Sequence, residues 1–287
     1  MPCARGADAE QLAGTAAHEV THLLIEHRGA WGRKAFAESD LPAHVRTTVA
    51  ERADALGVRI SLIRRHGRRR PETGFRVYGA HAAPGREQLG TIRLEDPEQL
   101  LDLDLKAWAQ GRMVGLEPVR HPLLLVCTNG RRDTCCAEFG RPIVRELHRV
   151  HPEETWEITH LGGHRFAGAM LTLPRGFSYG RLDPTSALDV AARTFADEVE
   201  PAHLRGRVGH PQAVQVAEIH LLRETGRRDP DVLSVVEVVE TDTGCTVIFT
   251  LDGEPVSVTV GREKGPAVRK SCVDVEAKTT TRWRVGV

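Results

Sequence analysis

The chain has 287 residues, 40% of them hydrophobic and 27% charged, which is globular composition and excludes a disordered polymer. Lys+Arg and Asp+Glu balance at 39 each, so no global charge calls for nucleic acid or an anionic membrane as partner. No apolar run reaches spanning length and MPCARGADAEQLAG lacks the apolar core of a leader, so no membrane role and a cytoplasmic location are expected. Thiols stay reduced there, and the six cysteines are expected to be ligands, redox thiols or core fillers rather than a disulfide frame. Cys3, Cys245 and Cys272 stand apart and read as structural or incidental, with Cys245 packing as a small hydrophobe at the start of a strand.

In chain order, Val20–Glu26 is a strand, followed by a Gly/Trp turn and a helix over Ala43–Leu56 with apolar positions at Val45, Val49, Ala53 and Leu56. Val58–Ile63, Gly74–Tyr78 and Thr91–Leu94 are further strands, and Pro97–Gln110 a second helix. The basic run Arg64-Arg65-His66-Gly67-Arg68-Arg69-Arg70 reads first as a solvated turn, and second as a docking patch for an acidic partner. Pro122–Val126 is a buried strand, the loop CTNGRRDTCC follows, and Pro142–Val150 is a helix with Pro142 in its first turn. Glu154–Thr159 is a strand and HLGGH the turn after it. Gly168–Leu173 and Phe177–Tyr179 form a hairpin, and Pro184–Val199 a helix.

This α/β order reads as a pseudo-repeat of β-α-β-β-β-α units, compatible with a thioredoxin-like layout, in which only the second copy carries cysteines in its first loop. The expected division is an N-terminal unit over residues 1–115, a ligand-carrying unit over 116–200 and a C-terminal helix and β appendage over 201–287. In that appendage Pro211–Glu224 reads as a helix, Val232–Glu240, Cys245–Leu251 and Val256–Val260 as strands, and TRWRVGV as its closing segment.

Cys127 ends a buried strand, Cys136 precedes a helix, His160 ends another strand, and His164 follows Gly162 and Gly163. Adjacent strands of an α/β fold would bring these ends to one sheet edge. Two thiols and two imidazoles suit tetrahedral zinc, or a [2Fe–2S] cluster with histidines on one iron. Eight residues between Cys127 and Cys136 make a long loop for a zinc knuckle and favour the larger cluster. Arg131, Arg132 and Arg165 are candidates to offset its charge or guide partners. Spacing alone does not choose between Cys136 and its neighbour Cys135. His18-Glu19-Val20-Thr21-His22 also fits the H-E-x-x-H pattern of zinc proteases, but its β-branched continuation reads as strand, where the two histidines cannot share one zinc.

CTNGRRDTCC with WEITHLGGHRFAGAMLTLPRGFSYGRL, and LAGTA with LLIEHRGAWGRKA, resemble the sucrase/ferredoxin-like family over roughly the first 200 residues. The resemblance implies a thioredoxin-like [2Fe–2S] protein with two Cys and two His ligands, as in characterised fungal members. Its Cys-x8-Cys and His-x3-His pattern falls on Cys127, Cys136, His160 and His164, while Asn129 stands where many relatives are expected to have histidine. The expectation is therefore an electron carrier rather than a stand-alone enzyme, with separate, unidentified redox proteins as donor and acceptor. No dinucleotide fingerprint is present. The alternative is a Cys2His2 zinc-stabilised binding module without redox activity.

Overall fold

The computed structural model describes residues 3–6, 9–67 and 73–286, so Arg68, Arg69 and Arg70 of the basic run lie outside the described residues. The first half contains β1 (Thr21–Glu26), α1 (Ala43–Ala55), β2 (Val58–Arg64), β3 (Phe75–His81), β4 (Gln88–Leu94), α2 (Leu105–Ala109) and β5 (Glu117–Pro118). The second contains β6 (Leu123–Cys127), α3 (Thr134–Val150), β7 (Thr155–Ile158), β8 (Met170–Leu173), β9 (Phe177–Tyr179), α4 (Pro184–Phe195) and β10 (Leu204–Arg207). Then come α5 (Gln212–Thr225), β11 (Leu233–Thr241), β12 (Gly244–Leu251), β13 (Glu254–Val268) and β14 (Lys278–Val285).

Ten strands form one mixed sheet in the order β10-β9-β8-β6-β7-β2-β1-β3-β4-β5, and the last four strands form a separate antiparallel sheet. In the first half β1 runs parallel to β2 and antiparallel to β3; in the second β6 runs parallel to β7 and antiparallel to β8. The halves meet where β2 pairs antiparallel with β7, through Ile63 opposite Ile158 and Arg64 opposite Glu157. Glu157 is buried at this seam, accepting hydrogen bonds from Arg64 and Thr128 at 2.7 Å each. Those charge-assisted bonds overcome its burial and hold its carboxyl below the ordinary range.

Period-two alternation places Leu124 and Val126 of β6 in the core beneath α3 and α4, and Leu123 and Leu125 in the core on the other face with Trp156 and Leu171. The α3 side also takes in Val247, Phe249 and Val258, so the four-stranded sheet shares the second half's core through α5. Strand β10 lies beyond residue 200 and still pairs with β9. Cys245 packs in this core, as its position after Gly244 suggests.

Two helices differ from their sequence pattern. The expected helix over Pro97–Gln110 is a 3-10 turn, Pro97–Asp102, followed by the five-residue α2. Asp104 causes the break: its carboxylate accepts the Ala107 N–H and caps a new helix start. Helix α3 begins at Thr134, not at Pro142, because Asp133 caps it by accepting the Cys135 N–H, and Pro142 lies inside the helix. The cysteine loop is therefore shorter than its glycine and charge content suggests, and Cys136 sits in the first helical turn rather than before it.

Helix α3 crosses the end of β6 at Gly140, where a Cβ would lie 2.2 Å from the Cys127 carbonyl oxygen. Gly140→Ala is expected to force α3 off β6 and lower unfolding stability by about 1–3 kcal/mol despite alanine's better helix propensity. Urea denaturation of the two proteins measures it; an unchanged or raised midpoint would show that the contact relaxes freely.

Candidate metal centre

Cys127 is the last residue of β6, opposite Ile158 in the parallel pair with β7. Because the strands are parallel, the chain leaves both at the same sheet edge, and His160 emerges two residues past Ile158. The N-cap of α3 brings Cys136 to that edge from above. Ligand atoms of Cys127, Cys136 and His160 all lie within 4.8 Å of one another. His164 stands outside this three-residue group, its ring centroid 5.0 Å from that of His160 and its Nε2 3.6 Å from Asp133 Oδ2. The HLGGH turn needs its glycines: Gly162 and Gly163 have φ of 77° and 67°, and a Cβ on Gly163 would meet Arg205 Nη2 at 2.6 Å.

Arg205 arrives from β10 and holds the turn. Its buried guanidinium donates to the carbonyls of Gly162 at 3.0 Å and Thr15 at 2.5 Å. Burial, with Arg165 nearby, pushes its pKa down to about 10, and the Cys127 sulfur acts the other way. Arg205 therefore remains a cation at neutral pH and offsets negative charge on the sulfurs. The hydrogen bond with Cys136 holds the Cys127 thiol well below its ordinary range, aided by His160 and the Leu161 N–H. The same bond pushes Cys136 up, so the pair shares a proton unevenly and Cys127 is the readier thiolate.

The histidines carry the clearest sign of a missing partner. Among the described residues, Nδ1 of His160 and both ring nitrogens of His164 are buried and make no hydrogen bond of ordinary geometry, the His164 ring lying beside the Lys270 backbone with Nε2 3.6 Å from the Asp133 carboxylate. Burial lowers the His164 pKa, the Asp133 carboxylate opposing it only in part, which favours the neutral imidazole that a metal takes as ligand. Unpaired buried polar atoms are uncommon in folded proteins, and three within one pair of adjacent histidines mark a place for a ligand. These donors, sulfur with imidazole, fit a [2Fe–2S] cluster or zinc.

A family profile described as sucrase/ferredoxin-like matches residues 12–206. The chain belongs to this family. Altered inheritance of mitochondria protein 32 from Meyerozyma guilliermondii is 33% identical over 93 residues, covering 29% of this chain and 33% of that protein. The match thus spans about a third of that relative's length. No solved structure matches the chain. Among the described residues, no helix is long and apolar enough to cross a membrane.

In this sucrase/ferredoxin-like chain the two adjacent cysteines point to different places. Cys136 groups with Cys127 and His160, whereas Cys135 groups with Cys3 and Cys272. Of the two readings the sequence left for Cys3 and Cys272, structural or incidental, their grouping around Cys135 favours the structural one. Among the other candidates, Arg165 forms a two-pronged ion pair with Glu10 at 2.5 and 2.6 Å and lies over Phe166. Asn129 donates to the Gly32 carbonyl and accepts the Arg132 N–H, fixing the loop. In the H-E-x-x-H segment, residues 18–20 are irregular and His22 lies in β1, buried, its pKa lowered to about 4 by that burial. This is not the helical geometry of a protease site.

Sequence reasoning missed Asp133 and Arg205. An Asp just before a helix is a capping signal, so Asp133 was findable; nothing local marks Arg205. Asp133 accepts from Cys135 N, Ser271 Oγ and Cys272 N at 3.1, 2.9 and 2.8 Å. Burial opposes its ionisation, but the bonds from Cys272 and Ser271, with His164 nearby, bring its pKa down to about 2. A folded pKa below the unfolded value gives stability that is full above about pH 4 and lost as pH falls through about 2. Asp133→Asn would turn an amide N–H against the Cys272 N–H and should cost about 1–3 kcal/mol at neutral pH. Thermal melts should show the gap from wild type closing between about pH 4 and pH 2; a pH-independent gap would show that the Asp133 charge contributes nothing.

Proposed function

We propose that this protein is a single-electron carrier that holds a [2Fe–2S] cluster through Cys127, Cys136, His160 and His164. The observation that carries the reading is the set of three orphaned imidazole nitrogens beside the Cys127–Cys136 pair. One ion satisfies the compact group of Cys127, Cys136 and His160 but leaves His164 unexplained; a two-iron cluster is wide enough to take both histidines. When bound, the cluster accepts and releases one electron at a time, with a potential that histidine ligation makes sensitive to pH.

The chain's own residues supply the rest. Cys127, the readier thiolate, and Cys136 hold one iron; His160 and His164 hold the other. Arg205 fixes the turn that carries both histidines and adds positive charge without solvent. The two halves of the large sheet are read as thioredoxin-like units over residues 1–115 and 116–200, the first a structural and docking unit, with 201–287 as the appendage that adds β10 to the second and closes over it. A cleft of about 420 Å³ opens beside His160, lined by Arg33, Lys34, Arg59 and Arg132. Its basic rim suits acidic redox proteins as donor and acceptor, and the cytoplasm, where thiols stay reduced, is the compartment this reading calls for.

The compact three-ligand group also favours a second reading, a zinc-stabilised module without redox activity. Anaerobic purification with iron, sulfide and zinc quantified separates the two. The expected result is visible charge-transfer absorption with about two irons and two sulfides per chain, lost in Cys127→Ser. A colourless protein with zinc at this site would overturn the cluster.

His164→Cys should keep the cluster and lower its midpoint by on the order of 100 mV, because a thiolate adds negative charge. Protein-film voltammetry measures this; an unchanged midpoint would remove His164 from the ligand set.

A further inference from the structure

The fold brings together three cysteines that are distant in sequence, Cys3, Cys135 and Cys272, with Asp133 beside them. Their sulfurs form a triangle: Cys3 to Cys135 is 3.5 Å, Cys3 to Cys272 is 3.5 Å and Cys135 to Cys272 is 3.1 Å. Cys3 Sγ lies 3.8 Å from Asp133 Oδ1. All are free thiols, and Cys3, Cys135 and Asp133 are buried.

We infer that Cys3, Cys135 and Cys272, with Asp133 as fourth donor, form a second metal site for one zinc-class divalent ion. The inference is independent of the cluster reading, since it shares no ligand with Cys127, Cys136, His160 or His164.

Three arguments support it. The spacing is first. A disulfide needs sulfurs ~2.05 Å apart, whereas a tetrahedral zinc with Zn–S of ~2.3 Å places them ~3.8 Å apart. The observed triangle is far wider than a disulfide and slightly tighter than a zinc edge. It also involves three sulfurs, and a disulfide would leave one over.

The second argument is the surroundings. The Cys3 N–H points at Cys272 Sγ at 3.4 Å, and the Ala4 N–H bonds to Cys135. Cys135 lies in the first turn of α3, whose N–H groups and dipole would support a metal-bound thiolate against the cost of its burial. Backbone N–H groups aimed at sulfur are the outer shell that thiolate–metal sites use. Ser271 Oγ and the Cys272 N–H orient Asp133 through Oδ2, and Oδ1, which accepts the Cys135 N–H, keeps its other lone pair for a metal.

The third is chain economy. The thiols bring the segment Cys3–Gly6 and the loop at Ser271–Cys272 onto the start of α3, across separations of 132 and 137 residues. A single ion there would fasten both segments to the helix turn that carries Cys136, and beside Asp133, which faces His164. Binding needs no oxidant: each thiol that becomes a ligand releases its proton to solvent and donates a sulfur lone pair to the metal. Three thiolates with one carboxylate select zinc over hard magnesium or calcium.

The test uses the full chain carrying Cys127→Ser and Cys136→Ser, which empties the first site of thiolates. Addition of Co²⁺ under argon should give about one equivalent bound with intense thiolate-to-cobalt absorption, displaced by Zn²⁺. The further change Cys272→Ser should abolish at least nine-tenths of that absorption. No cobalt–thiolate band, or a band that survives Cys3→Ser with Cys272→Ser, would overturn the site. A second measurement needs no variant: in zinc-supplemented wild-type protein, Cys3, Cys135 and Cys272 should resist alkylation and become reactive together once a chelator is added. Independent labelling of the three, or a Cys135–Cys272 disulfide in protein kept anaerobic, would equally overturn it. Iron and sulfide content of Cys272→Ser reads the first site separately, so loss of either site is seen without the other.

Discussion

The parallel pairing of β6 with β7 is the constraint on which the functional region depends. It makes Cys127 and the chain leaving Ile158 exit at one sheet edge. Everything else at that edge responds to this placement. Asp133 starts α3 early enough to bring Cys136 over Cys127, and Gly140 lets the helix lie against the β6 backbone. Gly162 and Gly163 turn the chain back so that His164 comes beside His160. An antiparallel β6–β7 pair would send His160 to the opposite edge, and no loop chemistry would restore the set.

Asp133 connects local structure to both groups of sulfur ligands. Its carboxylate caps α3, orients the Cys272 loop and stands 3.6 Å from His164. One short side chain thus fixes where Cys135 and Cys136 point, and the helical rotation between consecutive residues sends them to different partners. Asp133 is held by donors from the start of α3 and from the Ser271–Cys272 loop, so it lies between two groups that have no sulfur or imidazole in common.

The second buried charge, Arg205, shows how the C-terminal part of the family match contributes. It sits on β10, past the end of the second half's main helix, and reaches back under the histidine turn. Among the described residues no carboxylate forms an ion pair with it, and such a buried guanidinium is costly unless carbonyls and nearby negative charge compensate. Here the carbonyls of Gly162 and Thr15 and the Cys127 sulfur do so. Strand β10 is therefore tied to the site by electrostatics as well as by its pairing with β9.

Most of the strands, α1, the β8–β9 hairpin and the stretches CTNGRRDTCC and HLGGH could be read from the sequence alone, because period-two and one-turn spacing, turn residues and motif spacing are all local signals. The start of α3 was obscured by Gly130, the charged loop and Pro142, whose turn-like composition outweighs the capping signal of Asp133. After Pro97 the apolar spacing persists through the Asp104 restart, so the sequence pattern hides the break between the 3-10 turn and α2. What only tertiary structure decided is which cysteine goes where. Cys135 and Cys136 are equivalent by spacing, and Cys3 and Cys272 have no local pattern at all. Their meeting is set by the sheet order and by how both outer segments fold back onto α3, a long-range outcome of packing that no window of neighbouring residues contains.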